Sequence, residues 1–269
     1  MKNLDDDFKK MYAELGLIDD NRQSLPLHLF CMNRLECWLS AQDRFPSDND
    51  QWSHISRPWV GKAYQELRLL VIGENLNECG GFDTIQLLTA LAKKEILSGR
   101  RRVRFDNDFK KYPGSILWHR LGCYAVAFAE AKGVLNPYWG TDTYPLKEDV
   151  ALAYEYISYT NHIKCSPKGS NSEQTEQMWE KCGKHILRKE IELLRPDTIF
   201  ILGKSDNQWY FNNQVLEEPI EWAYHQSVGK GIGKVEDQKI NIFIIPHPAS
   251  RGGNSISVLN DLRHALAES

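Results

Sequence analysis

Three polar motifs, Gly73-Glu74-Asn75, Thr160-Asn161 and His247-Pro248, each follow a strongly apolar run. Together they supply a carboxylate, two carboxamides and an imidazole. A carboxamide places a carbonyl acceptor beside an amide donor, and a neutral imidazole donates from one nitrogen. Groups of this kind orient water, match the edge of a heterocycle and hold negative charge that develops on a leaving group. They work together only if the chain brings them to one place.

The apolar runs suggest how it does so. Leu67 to Ile72 (LRLLVI), Tyr154 to Tyr159 (YEYISY), Thr198 to Leu202 (TIFIL) and Ile240 to Ile245 (INIFII) are short, β-branched or aromatic, and bounded by Gly, Pro or Asn. Buried parallel strands have this composition. Helical patterns lie between them: Leu27, Cys31, Leu35 and Trp38 near the start, Thr84 to Leu97, Glu173 to Leu194, and Ile256 to Ala267 behind an Asn254/Ser255 cap. The pattern predicts an α/β fold, a three-layer α/β/α sandwich with a mostly parallel four-stranded central sheet. In such sheets ligands bind beyond the carboxyl ends of the strands, where all three motifs fall.

With 269 residues, 42% of them hydrophobic, the chain can form one domain over residues 1–269, with an N-terminal helical extension (1–60) and an insertion (98–145). No run approaches a membrane span, and MKNLDDDFKK lacks the apolar segment of a secretory signal, so a cytoplasmic protein is expected. The six cysteines are too scattered for a disulfide framework. Net charge is −3, yet Arg100, Arg101, Arg102 and Arg104 form a basic block, either a nucleic-acid contact or a solvated face. Residues 226–239 read as a Gly- and Lys-rich loop or hairpin. Gly203-Lys204-Ser205 imitates the end of a phosphate-binding loop, but the glycine such a loop requires would fall at Thr198, within a strand, which excludes it.

Three stretches, LLVIGEN, YTNHIKCSPKGS with LRPDTIFILGK after it, and IFIIPHPASR, resemble the uracil-DNA glycosylase superfamily. The likeness is closest to its family 4-like and family 5-like bacterial branches and covers roughly residues 67–83 and 154–269. It implies a monofunctional DNA glycosylase that flips a pyrimidine-type base, uracil or a modified base, and hydrolyses its N-glycosidic bond. Asn75 would orient the water; Glu74 would share that task or be a plain loop carboxylate. His247 would hydrogen-bond the departing base. Asn161 would match an N–H and an adjacent C=O on the base, beside Gly73, with Phe82 stacking on the base or serving as a core residue. DNA contacts are expected from Lys168, Lys230 and Lys234 in the GKGIGK segment, Ser250, Arg251 and Arg101. Lyase chemistry is not expected, because no motif positions a lysine nucleophile.

The same resemblance implies a [4Fe-4S] cluster, not needed for the chemistry, on four cysteines. Cys165 and Cys182 match its second pair, whereas Cys31 and Cys37 are spaced six apart where the family has three, so ordinary buried thiols are the alternative. The 98–145 segment opens a second reading, a glycosylase specific for bulky phage bases in defence. Two further readings are a non-catalytic nucleic-acid-binding module and a hydrolase of free nucleotides or nucleosides. DNA is the expected partner, with no membrane; the sequence implies no particular protein partner and no oligomeric state.

Overall fold

Strands made almost wholly of Leu, Ile, Val and Phe are stable only when both faces of their sheet are covered, and the computed structural model meets that requirement. It describes residues 4–15, 58–74, 115–137, 139–140, 143–164, 175–203, 206–248 and 255–268. In chain order the elements are α1 (Leu4–Glu14), β1 (Trp59–Val60), α2 (Tyr64–Leu67), β2 (Leu69–Gly73), α3 (Ser115–Ala131), α4 (Lys147–Ala153), β3 (Ile157–Asn161), α5 (Glu176–Cys182), α6 (Arg188–Leu194), β4 (Thr198–Leu202), α7 (Asp206–Tyr210), β5 (Ala223–His225), β6 (Val228–Val235), β7 (Gln238–Ile245) and α8 (Ser255–Ala267). A π-helical turn, Gly183–Leu187, joins α5 to α6 without a break. The Thr175 hydroxyl caps α5 by accepting from the Met178 backbone N–H.

The sheet has seven strands in the order β1-β3-β2-β4-β7-β6-β5. This corrects the four-stranded expectation. The four apolar strands do form a parallel centre, β3-β2-β4-β7, but antiparallel β1 extends one edge and β6 and β5 the other, so the sheet is mixed. The added strands are short or glycine-rich, and edge positions do not demand the continuous apolar run that marks a central strand. Residues 226–239 form a hairpin in which β6 turns at residues 236–237 into β7, so the GKGIGK segment is strand.

Alternate residues of the central strands feed two separate cores, as the period of two requires. Leu69, Val71, Ile157, Tyr159, Phe200, Leu202, Phe243 and Ile245 pack against α3, α4 and α8. Leu70, Ile72, Ile199, Ile201, Ile242 and Ile244 pack against α1, α5 and α6. Helices on both faces of one sheet give the three-layer α/β/α arrangement. The expected 98–145 elaboration contains α3, whose residues 121–129 are all buried against the sheet, so its second half is part of the core.

Two strands also start later than expected. Residues Tyr154–Tyr156 form a 3-10 turn, with Tyr154 fully buried and its hydroxyl donating to the Trp118 carbonyl, and β3 starts only at Ile157. Leu67 closes α2, and the left-handed Arg68 (φ 49°) redirects the chain into β2. The helix at 27–39 and the helix at Thr84 to Leu97 lie outside the described residues. Among the described residues no helix is long and apolar enough to cross a membrane.

Candidate active site

Parallel pairing makes the carboxyl ends of the central strands one rim. Gly73 lies opposite Asn161, Ile72 opposite Ile201, and Leu202 opposite Ile245. The ladder continues past the strands: the His162 N–H donates to the Gly73 carbonyl at 2.9 Å, the Ile163 N–H to the Glu74 carbonyl at 2.9 Å, and the Gly203 N–H to the Ile245 carbonyl at 2.9 Å. Glu74, Asn161, Gly203 and the approach to His247 therefore share that rim.

Asn161 is fully buried, and the Tyr159 hydroxyl donates to its Oδ1 at 2.8 Å. Both side chains lean over Gly73. A Cβ there would lie 2.4 Å from Tyr159 Oη and 2.5 Å from Asn161 Oδ1, so only glycine fits beneath this pair. A buried carboxamide of fixed orientation can match a heterocycle edge in a site closed to bulk water.

Glu74 turns toward the end of β4. Gly203 has φ +97°, and a Cβ on it would stand 2.9 Å from Glu74 Oε1, so the carboxylate lies over a residue whose backbone also favours glycine. Burial, with the nearby Asp206 charge adding to it, holds the Glu74 carboxyl above the usual carboxylate range. A carboxylate made more basic in this way is a better acceptor for a water proton.

His247 stands two residues beyond β7, half-buried, and burial lowers its pKa, which favours the neutral imidazole. The turn that carries it is tied to α3: the Arg120 guanidinium donates to the Pro248 carbonyl. His119, one residue earlier on α3, is pushed down to about 4 by burial, then by Arg120 and Lys147. Sequence reading did not single out Arg120, because a guanidinium bonded to a backbone carbonyl leaves no motif.

A second polar layer supports the strand end that carries Asn161. Lys164 and Glu190, both fully buried, form an ion pair with Nζ 2.5 Å from Oε2. Lys164 Nζ also donates to Thr160 Oγ1 at 2.6 Å, Thr160 Oγ1 donates to Glu190 Oε2 at 2.9 Å, and the Tyr12 hydroxyl donates to Glu190 Oε1. His162, fully buried, has Nδ1 3.0 Å from Asn207 Oδ1, while Asn207 Nδ2 donates to the Leu202 carbonyl at 3.0 Å. The second bond fixes the Asn207 amide, so its oxygen accepts from the His162 ring. This ties the end of β4 to the segment after Asn161. His162 is pushed down to about 3 by burial, and its ring meets the Trp179 ring edge-on at 4.8 Å.

The remaining expected residues divide in two. Asn75, Phe82, Lys168, Ser250, Arg251, Arg101, Cys31, Cys37 and Cys165 lie outside the described residues. Lys234 is opposite Lys239, at the end of the hairpin away from the rim, and pairs with Glu217 at 2.9 Å. Lys230 is opposite Phe243 and donates to the Glu268 carbonyl at 3.2 Å. The structure does not bring these two lysines to the rim motifs. Cys182 is buried at the end of α5. Among the described residues no group of three or more His, Cys, Asp or Glu side chains is placed to hold a metal ion.

The family model described as the uracil DNA glycosylase superfamily matches residues 60–265. Over 106 residues the chain is 31% identical to a type-4 uracil-DNA glycosylase of Archaeoglobus fulgidus, a match covering 38% of this chain and 49% of that protein. The chain thus spans about half the length of the curated relative it matches.

Proposed function

The chain belongs to the uracil DNA glycosylase superfamily, and from that premise we propose that it is a DNA glycosylase that releases a uracil-type base by hydrolysis and leaves an abasic site. What carries the reading is one observation: Glu74, Asn161 and the turn bearing His247 leave a single rim from the ends of three parallel strands.

The roles follow from the chemistry. The base must leave its duplex to reach a rim of this kind, and Asn161 then matches its N–H and adjacent carbonyl. As the bond from C1′ to the base breaks, positive charge grows on the sugar and negative charge on the base. His247, whose partial burial favours the neutral imidazole, donates a hydrogen bond to a carbonyl oxygen of the departing anion. Asn75 and Glu74 hold the water whose oxygen bonds C1′, and the raised pKa of Glu74 suits it to accept the proton that water loses. Arg251 and Ser250, beyond the His-Pro turn, and Lys168, beyond β3, are assigned to the DNA strand.

The curated relative is named a type-4 uracil-DNA glycosylase, which supports uracil as the first base to test. A [4Fe-4S] cluster would draw on Cys165 and Cys182 with Cys31 and Cys37 and would hold the fold near α5; every chemical step above uses other side chains. The test is base release from single- and double-stranded oligonucleotides carrying uracil, mismatched thymine, hypoxanthine or a bulky 5-substituted pyrimidine. Release of uracil supports the reading. Turnover of free nucleosides with intact DNA would replace it with nucleoside hydrolysis.

A further inference from the structure

Two large aromatic side chains that the chemistry above does not use stand half exposed beside the rim. Trp209 on α7 is 53% exposed and Tyr224 on β5 is 52% exposed, although rings of this size are ordinarily well covered. Both belong to the end of the sheet that carries the rim. α7 begins at Asp206, three residues after Gly203, close enough to Glu74 for the Asp206 charge to act on that carboxyl. Tyr224 is opposite Gly229, which is opposite Ile244, the next-to-last residue of β7.

Both rings are held from behind. Tyr224 crosses β6 at Gly229, where a Cβ would lie 2.9–3.3 Å from three of its ring atoms, so the glycine makes room for it. Gln208 Nε2 donates to the Tyr224 hydroxyl at 2.9 Å, which ties β5 to α7 one residue before Trp209. Trp209 meets the Tyr210 ring edge-on, with centroids 4.7 Å apart at 86°, and Tyr210 stacks on the buried Trp179 at 5.1 Å.

We propose that Trp209 and Tyr224 form a stacking platform for unpaired bases that flank the target nucleotide, so that the protein favours single-stranded over double-stranded DNA. The inference rests on the glycosylase reading, which brings the strand to the rim.

An aromatic ring can stack only on a base whose own face is free. Within a duplex the neighbouring base pairs cover those faces, whereas an unpaired strand offers them to any ring at the right place. Stacking adds about fivefold to a hundredfold in affinity per base and accepts any base, since every base has a π-face. The platform works through ring faces and not through charge, and the Asp206 carboxylate at the start of α7 disfavours phosphate there. Its share of the affinity should therefore persist as salt rises, unlike that of the lysines and arginines assigned to the strand.

The test measures binding of the whole protein to oligonucleotides with a central abasic analogue, single-stranded, in duplex, or single-stranded with the flanking bases also replaced by abasic linkers. Wild type, Trp209→Ala, Tyr224→Ala and the double variant are compared by fluorescence anisotropy over a range of salt. The double variant should lose about tenfold or more on the single strand and little on the duplex, with salt dependence and melting temperature nearly unchanged. Removing the flanking bases should cost the wild type a similar factor and the double variant nothing more; the wild-type half of this comparison needs no variant to fold. Equal losses on single strand and duplex, a wild type indifferent to the flanking bases, or one that binds the duplex more tightly overturns the proposal. A wild-type dimer that dissociates in the double variant, with DNA affinity unchanged, also overturns it and assigns the rings to a second copy of the chain. Flank-dependent binding lost in the variants, with no base released by the wild type, would uphold the platform and refute the glycosylase reading instead.

Discussion

Replacing Lys164 by methionine should destabilise the protein more than any surface change and weaken the strand end that carries Asn161. Lys164 and Glu190 have no exposed side-chain surface, so neither charge is solvated and each depends on the other. Deleting one member of such a pair costs about 3–5 kcal/mol, because the remaining charge is buried without its counter-ion. At about 2–4 °C per kcal/mol for a domain of this size, the melting temperature of Lys164→Met should fall by on the order of 10 °C.

Glu190→Gln in the same background keeps one acceptor oxygen for Tyr12, leaves an amide that can donate to Thr160 Oγ1, and removes the stranded charge, so the double variant should be more stable than Lys164→Met alone. The pH dependence has a definite sign. Burial already raises the Glu190 pKa, and the Lys164 charge beside it is the strongest influence that lowers it. Without the lysine it rises further, and a carboxyl whose folded pKa lies above its unfolded value loses stability as pH rises. The single variant should therefore recover stability as pH falls from about 8 to about 5. Denaturant melts of wild type, both single variants and the double variant, repeated across that range, give the coupling energy directly. Additive single effects below about 1 kcal/mol, with no pH trend, would refute the picture of a buried support under Thr160 and Asn161.

Gly73→Ala should reduce base release by about a hundredfold or more, because its Cβ would overlap Tyr159 Oη and Asn161 Oδ1 and displace the reading amide; single-turnover kinetics beside a thermal melt separates this from unfolding, whose cost should stay within about 1–3 kcal/mol. If the Glu74 carboxylate serves the water, release should rise with pH through a value above the usual carboxylate range, Asp206→Asn should move that limb downward, and Glu74→Gln should abolish it. Arg120→Leu should slow release by about tenfold while leaving DNA affinity nearly constant, since the guanidinium anchors the turn carrying His247 and is not assigned to DNA.

How far the sequence foretold this structure depends on the range of the signal. The central strands were legible because burial on two faces forces an unbroken apolar run, and their common direction put Glu74, Asn161 and the approach to His247 on one rim. β3 was displaced because Tyr154 looks like strand sequence but is spent in the core, bonded to Trp118. α3 was hidden in a segment marked by its arginines, although nine consecutive buried residues, 121–129, make it a main support of the sheet. Gly203 looked like part of a false phosphate loop; its lack of a Cβ instead makes room for Glu74. The Tyr12–Glu190 and Arg120–Pro248 contacts join residues 178 and 128 positions apart, and no local pattern encodes a partner that distant. Tyr159 was visible only as an apolar strand residue, because its hydroxyl meets a neighbour two residues on that no apolar pattern marks.

The most direct test of the central claim is uracil release from single- and double-stranded oligonucleotides by wild type and His247→Ala, with DNA binding measured on the same samples. The account predicts release by the wild type and a loss of about a hundredfold or more in the variant, with DNA affinity nearly unchanged. A wild type that binds DNA yet releases no base from any oligonucleotide would contradict it and leave a binding module on a glycosylase scaffold.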